Sequence, residues 1–458
     1  MGNQAILGSV GGRILIIGAG PAGLGAAYTL QRMGHDNFQV VEQNEYPGGL
    51  SASFLDPNGF VWDLGAHIHF RQHAEYVGLL DECCGNQSAG PAMRARIWTH
   101  GRLIPHPFQL NLRLLPAAVS EKCLRGLLAA EKSQGAGNAP SNLEDWIGRV
   151  YGSAIAEEFL VPYCRKAWSH DPSDMSADWA GKRFPQGDTA KCIASALAED
   201  SDDAAGRRSA FTYPTAGGNG VLWRWLAGRL RSRITYGRAV SRLDSKARAI
   251  IFSDGCAEHY DKLISTMPLD QLIGCSDLAG FQPIARELKY TTMVVIGLGL
   301  RGAIPAMLRD TGWVYCAEPK TPFYRLTVQS NLARDNVPNP DKQWSVMLET
   351  SHKPGCVTSV ASLIQRSLTA LSNWGLPIRE EDVEDTWAHT VERAYPMPVT
   401  GSNRAVCAIL KGLRDLGIHS CGRFGAWRYE AANQDDCFLE GGAIAASLWN
   451  SGLDELRS

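Results

Sequence analysis

No two cysteines in this chain have the two-residue spacing of a zinc knuckle or a redox turn, although there are twelve of them. They are scattered, and only Cys83 and Cys84 are adjacent. A zinc site or a disulfide framework needs regular close spacing, so the reading is of reduced, mostly buried thiols with no metal, as in a cytoplasmic protein. Long apolar runs are missing too: nothing approaches the roughly 18 uninterrupted residues of a transmembrane helix. Met1 to Gly12 lacks the charged and apolar blocks of a secretory signal, and Ile6 stands where a myristoylation pattern requires Ser or Thr. Charge of one sign is also absent. A formal net charge of -2 offers no basic face to nucleic acid or to an anionic membrane. There are no internal repeats and no long low-complexity segments.

What is present begins at Arg13. Four apolar residues run to Gly18, as in a strand buried on both faces, and Gly18-Ala-Gly20-Pro-Ala22-Gly23 follows. Gly18 permits a tight turn, Gly20 lets the backbone approach a pyrophosphate, and Gly23 lets helix pack on strand. The helix from Leu24 to Gly34 would present free N–H groups and a positive dipole end to phosphate at its start. Phe38 to Glu42 is the second strand, and its closing carboxylate can accept from ribose hydroxyls while repelling a 2′-phosphate. The ligand is therefore FAD or NAD rather than NADP. A second glycine loop, Gly48-Gly49-Leu50-Ser51, and then Gly65-Ala66-His67 resemble FAD proteins of the amine oxidase type, where a further loop wraps the cofactor. FAD is the cofactor expected.

At 458 residues, with 45% apolar and 20% charged residues, the chain should fold as two or three intertwined domains. Glu75 to Cys84 reads as helix and Arg94 to Ile104 as a hairpin turning at His100-Gly-Arg102. Leu110 to Lys132 is helical by period, Ser133 to Asn142 is loop, and Asn142 caps a helix to Val150. Another helix covers Ala154 to Tyr163. Ala198 to Ser209 reads as a mobile loop, Val221 to Leu230 as a helix, and Arg233 to Asp254 as three short strands. Asp261 to Pro268 is a buried strand and turn returning to the nucleotide domain. Thr291 to Leu300 and Trp344 to Glu349 are β-rich. Pro354 to Leu376 reads as helix and Glu380 to His389 as helix passing into strand. Gly441-Gly442 would open the last helix beside the cofactor. The expected division is residues 1–70 and 401–458 as first and last parts of an FAD-binding domain, 71–185 as a mainly helical insertion, 186–268 as the return segment, and 269–400 as a substrate-side sheet with helices.

Several stretches resemble the flavin-dependent UDP-galactopyranose mutases, in their eukaryotic-type form. They are Phe159 to Trp168, Met175 through Trp179 to Arg183, Gly312 to Tyr315 through Pro322 to Arg325, Tyr395-Pro-Met-Pro398, and Gly422 through Tyr429 to Asp435. The resemblance implies an α/β fold: an FAD-binding ββα Rossmann-like domain of glutathione-reductase and amine-oxidase type, with a helical insertion and an antiparallel substrate sheet. It implies interconversion of UDP-galactopyranose and UDP-galactofuranose, with flavin N5 of reduced FAD as nucleophile on the anomeric carbon and NAD(P)H as reductant. The diphosphate that departs needs fixed cations, and arginine meets phosphate through two parallel bonds.

By position in those motifs, Arg183 and Arg325 are the diphosphate arginines and His67 belongs to a loop beside the isoalloxazine that shifts with flavin redox state. The implied nucleotide-sugar contacts are His106, Phe108, Gln109, Phe159, Tyr163, Cys164, Trp168, Arg208, Tyr315, Tyr395, Tyr429 and Asn433. Arg423, Asn433, Gln434, Asp435 and Gly441 join Gly18, Gly20, Ala22, Gly23, Glu42, Gly48, Gly49, Leu50, Ser51, Gly65, Ala66 and His67 on the cofactor side. His106, Cys164, Arg208 and Leu332 depart from the family's usual Tyr, Asn, Asn and Tyr. Leu332 has lost a phosphate-donating hydroxyl, and a thiol at Cys164 is a poor hydrogen-bonding group. The reaction type therefore carries over better than the sugar or base. The rival readings are an FAD amine oxidase or desaturase and a non-catalytic flavin-binding protein.

Overall fold

Ile14–Ile17 has all four side chains buried because it is flanked on both edges. Phe38–Val41 and Lys262–Ser265 pair with it in parallel, and Ile418–Ser420 and Ile234–Thr235 complete a five-stranded parallel sheet. The computed structural model describes residues 12–85, 93–133, 138–184, 188–197, 211–356, 359–429 and 433–457. Helix Pro21–Arg32 leaves the first strand through Gly20, whose N-cap position carries no side-chain bond, so the helix N-terminus is open. An antiparallel three-stranded sheet, Val240–Asp244, Ala249–Phe252 and Ala257–His259, stands beside it.

The second large sheet is seven-stranded, in the order Val383–Pro396, Tyr290–Arg301, Gln343–His352, Arg325–Val328, Thr311–Cys316, Arg94–Thr99, Arg102–Pro105. It is antiparallel at every contact but one, where Thr311–Cys316 and Arg94–Thr99 run parallel. Residues 71–185 are thus more than a helical insertion, since their hairpin closes this sheet's edge. Alternation splits the long central strand between two cores. Val294, Ile296, Leu298 and Leu300 pack towards helix Val360–Asn373, while Met293 and Val295 pack towards Trp62 and Phe60.

Element positions differ from expectation at a few places, each with a local cause. Residues 110–116 are not α-helical, because two short 3-10 turns, Phe108–Leu110 and Leu112–Leu114, lead to Pro116 and the α-helix starts after it, at Ala117–Ser133. The helix capped by Asn142 does not stop at Val150 but runs as Leu143–Ile155, with Asp145 N–H donating to Asn142 Oδ1. It passes through a π-turn at Ala156–Leu160 into Val161–Trp168. Gly152 breaks the regular backbone there at φ 79°, since a Cβ would lie 2.4 Å from the Gly126 backbone. The Ala198 to Ser209 loop, and Arg208 with it, lies outside the described residues. Among the described residues no helix is long and apolar enough to cross a membrane, and all twelve cysteines are free thiols.

Gly441 does not open the last helix. That helix is Gln434–Arg457, and Gly441 lies inside it where it crosses Pro21–Arg32. A Cβ at Gly441 would sit 1.9 Å from the Ala22 carbonyl oxygen, and one at Gly25 would sit 2.1 Å from that of Phe438. The two helices therefore touch backbone to backbone, and glycine is required for contact rather than for a cofactor bond. Gly441→Ala should destabilise the fold by about 1–3 kcal/mol through overpacking, read as a lowered urea midpoint with unchanged slope.

Candidate active site

One cleft of about 1200 Å³ runs from the glycine turn to the underside of the seven-stranded sheet. It exceeds the roughly 300–1,000 Å³ of an ordinary ligand site, so it has room for more than one small molecule. At its nucleotide end Gly18 takes φ +101°, and a Cβ there would strike Thr266 Oγ1 at 2.0 Å. At Gly20 only the Gly49 backbone comes near an added Cβ, at 3.8 Å, so the chain is bare towards the cleft. Gly48 N–H donates to the Ala19 carbonyl, which fastens the second glycine loop on the first. Buried Glu42 accepts from Ala19 N–H at 2.7 Å through Oε2, and from Asn44 N–H and Nδ2 through Oε1. Oε2, with a single donor, keeps a lone pair for a ribose hydroxyl. An open helix start, a side-chain-free turn and an oriented carboxylate are what a dinucleotide needs, and FAD fits these residues.

The far end is cationic. Arg183 donates from Nη1 to Asn433 Oδ1 at 3.1 Å and from Nη2 to the Tyr429 carbonyl at 3.3 Å. Arg325 donates from Nε and Nη2 to the buried Glu349 carboxylate at 2.7 and 2.6 Å. Tyr324 hydroxyl donates to the same carboxylate at 2.6 Å and lies 3.1 Å from Tyr395 hydroxyl. Arg423 sits 5.9 Å from the Tyr395 ring centroid. Burial pushes the Tyr429 phenol up to about 12, with Tyr395 adding to the rise and Arg183, Arg423 and Arg325 opposing it. Three guanidiniums thus act on one hydroxyl, which marks where they gather.

Aromatic rings wall this end. Phe108 stacks on Phe159 at 5.1 Å, Phe159 on Tyr163 at 5.5 Å, and Tyr163 meets Tyr315 edge-on at 5.4 Å. His106 is tilted over Tyr315 at 5.2 Å, and Trp168 and Tyr395 both stand edge-on to Tyr429. Gln109 and Leu332 also line the cleft.

His67 lies in the wall between the two ends. Burial, and then the Arg423 charge, push its imidazole down to about 4. Burial takes His69 to about 3 and His106 to about 4. The loop is tethered on both sides of His67. Ala66 N–H donates to Glu349 Oε1 at 3.1 Å, and the Ile68 carbonyl accepts from Gln434 Nε2 at 2.8 Å. His69 bridges Tyr76 hydroxyl and the Asn219 carbonyl.

Most of the expected site residues line this cleft, but a few do not. Gly23 and Gly65 lie behind its wall. Gly23 abuts the Gly18 carbonyl, and Gly65 sits against Glu349. Gly48 turns at φ +104° behind Gly49. Cys164 points into the helical core rather than towards a ligand, and burial there pushes its thiol well above the ordinary value. Asp435 is buried in the first turn of the last helix. It forms with His73 and Asp436 a group whose ligand-capable atoms lie within 4.8 Å of one another, and His73 Nε2 is 3.6 Å from Asp436. Glu349 and Tyr324 were missed from sequence. Tyr324 could have been found beside Arg325, whereas Glu349 becomes visible only through strand register, as the direct cross-strand partner of Arg325.

Comparison with known proteins agrees with this geometry. A family model for flavin containing amine oxidoreductases matches residues 21–446. A solved structure of reduced UDP-galactopyranose mutase superposes with TM-score 0.90 at 33% identity, covering 96% of this chain and 94% of that one. The chain belongs to the flavin-containing amine oxidoreductase family, and within it to the flavoenzymes that resemble UDP-galactopyranose mutase. Protoporphyrinogen oxidase 2, chloroplastic/mitochondrial, of Arabidopsis thaliana is 25% identical over 176 residues, covering 36% of this chain. The zeta-carotene-forming phytoene desaturase of Myxococcus xanthus is 47% identical over 58 residues, covering 13% of it. The chain spans about a third or less of the length of these curated relatives, 34% and 11%.

The three histidines with lowered values, His67, His69 and His106, set a pH dependence. Their unfolded value is about 6.5, so below it the unfolded chain binds protons that the folded chain refuses. Stability should fall as pH drops from about 6.5 towards 4, by up to ~1.4 kcal/mol per pH unit per histidine. Urea midpoints at pH 7 and pH 5 measure this, and His69→Gln should flatten the loss by one histidine's share.

Proposed function

We propose that this protein interconverts the pyranose and furanose forms of a nucleotide sugar, of the UDP-galactose type, with reduced FAD. The observation that carries the reading is that Arg183 and Arg325, distant in sequence, line the same cleft as His67 and the glycine turn. Reduced FAD, when bound, supplies the nucleophile for the anomeric carbon, and the sequence resemblance points to NAD(P)H as its source of electrons. The chain's own residues do the rest. Glu42 and the open helix start at Gly20 hold the dinucleotide. Arg183 and Arg325 take the diphosphate through bidentate bonds and stabilise its charge as the glycosidic bond breaks. Tyr315, Tyr395 and Tyr429 donate hydroxyls to the same oxygens, and rings are well suited to exclude water around them. Phe108, Phe159, His106 and Gln109 line the portion assigned to the base. His67, neutral at pH 7 by its lowered value, can act as a hydrogen-bonding group without adding charge beside the cofactor.

The test is turnover of UDP-galactofuranose by the reduced, FAD-loaded protein, followed by chromatography while the reductant is monitored. Product should form without stoichiometric consumption of reductant. Arg183→Ala or Arg325→Ala should lower kcat/KM by about 100-fold or more, as for loss of a charge-stabilising donor, with the visible flavin spectrum intact. Substrate-dependent oxygen uptake with no isomerised sugar would replace this reading with that of an amine-oxidase-type oxidoreductase.

A further inference from the structure

We propose that Glu349 is a positioning residue that links the diphosphate site to the flavin-facing loop through a single carboxylate. The inference rests on the reading that Arg325 meets a nucleotide diphosphate. Glu349 is 0% exposed, lies behind the cleft wall, and reaches no solvent. Its two oxygens take four donors from two sides of the site: Arg325 Nε, Arg325 Nη2, Tyr324 hydroxyl and Ala66 N–H. A Cβ at Gly65 would stand 3.3 Å from Oε2, so the loop lies directly on the carboxylate. Burial by itself would raise this carboxyl, but the Arg325 charge and its bonds outweigh it and hold the group below its ordinary value.

The geometry has a consequence for binding. Arg325 engages Glu349 through Nε and Nη2, which fixes the plane of the guanidinium while Nη1 takes no part in the pair. A diphosphate drawing on that guanidinium competes with Glu349 for its N–H donors and charge, and so alters the position and acceptor strength of the same carboxylate that accepts from Ala66. The peptide beside His67 then feels the ligand, although neither Ala66 nor Glu349 need touch it. Coupling of this kind is reciprocal, because the binding free energies of linked sites close a thermodynamic cycle.

The experiment titrates UDP into the FAD-loaded protein, with affinity from calorimetry and the flavin visible spectrum recorded at calorimetric saturation. The wild type should show a flavin difference spectrum on saturation. Glu349→Gln should bind UDP about tenfold or more weakly, as when one partner of a buried charged pair is removed, and should lose the difference spectrum even when saturated. Glu349→Asp is too short to reach both partners and should show a reduced amplitude; it carries the comparison if the glutamine variant does not retain FAD. Wild-type amplitude in both variants, or no flavin response in the wild type, overturns the proposal. Arg325→Ala separates the two readings. If it binds UDP as tightly as wild type, the assignment of the diphosphate site fails and this link with it. If it binds weakly while Glu349→Gln responds normally, only the link fails.

Discussion

A largely buried guanidinium has to be paired and hydrogen-bonded, because an uncompensated charge away from water is costly. The Arg325–Glu349 pair meets this constraint. An unpaired buried charge is costly, and so is a pair with unsatisfied lone pairs. Here the carboxylate takes four donors, and the strand register that sets Arg325 opposite Glu349 also brings the carboxylate against the loop of Ala66 and His67. Arg183 solves the same problem differently, leaning on a side-chain amide and a backbone carbonyl, both neutral acceptors.

Around this pair runs a buried polar framework that fixes the cleft without lining much of it. Asp63, fully buried, accepts from Ser53, Tyr213, Gln329 and the Asn219 N–H. Burial nevertheless pushes its carboxyl up. Asn219 in turn bonds Ser51 and Gln434, and Gln434 accepts from Trp223 while donating to Ile68. Segments near residues 51, 68, 219 and 434 are thereby tied together. Such networks rigidify when satisfied, because each member left unpaired would bear the full cost of desolvation.

The nucleotide end was legible because its requirements are local. A strand, a tight turn and a helix start occupy consecutive residues, so spacing alone exposes Gly18, Gly20, Gly23 and Glu42. Asn142 was legible as a cap for the same reason. The hairpin at Arg94 was legible as a hairpin, but its parallel union with Thr311–Cys316 was not, since no short-range signal records which edge a strand will join. Gly441 misled because a glycine pair beside a helix start and one inside a helix crossing look alike until the second helix is in place.

Sequence by itself determined the dinucleotide turn, the alternation of strands and helices, and the identity of the arginines and rings that line the cleft. The turn and the elements follow from neighbours along the chain or from fixed spacing, and the arginines and rings from the resemblance of their motifs to a known family. Tertiary structure alone decided that Cys164 turns into the helical core, that Gly441 serves a helix contact, and that Glu349 stands behind Arg325. Those outcomes depend on side chains meeting across strands and helices far apart in the chain, where sheet register and close packing, not sequence separation, set the distance.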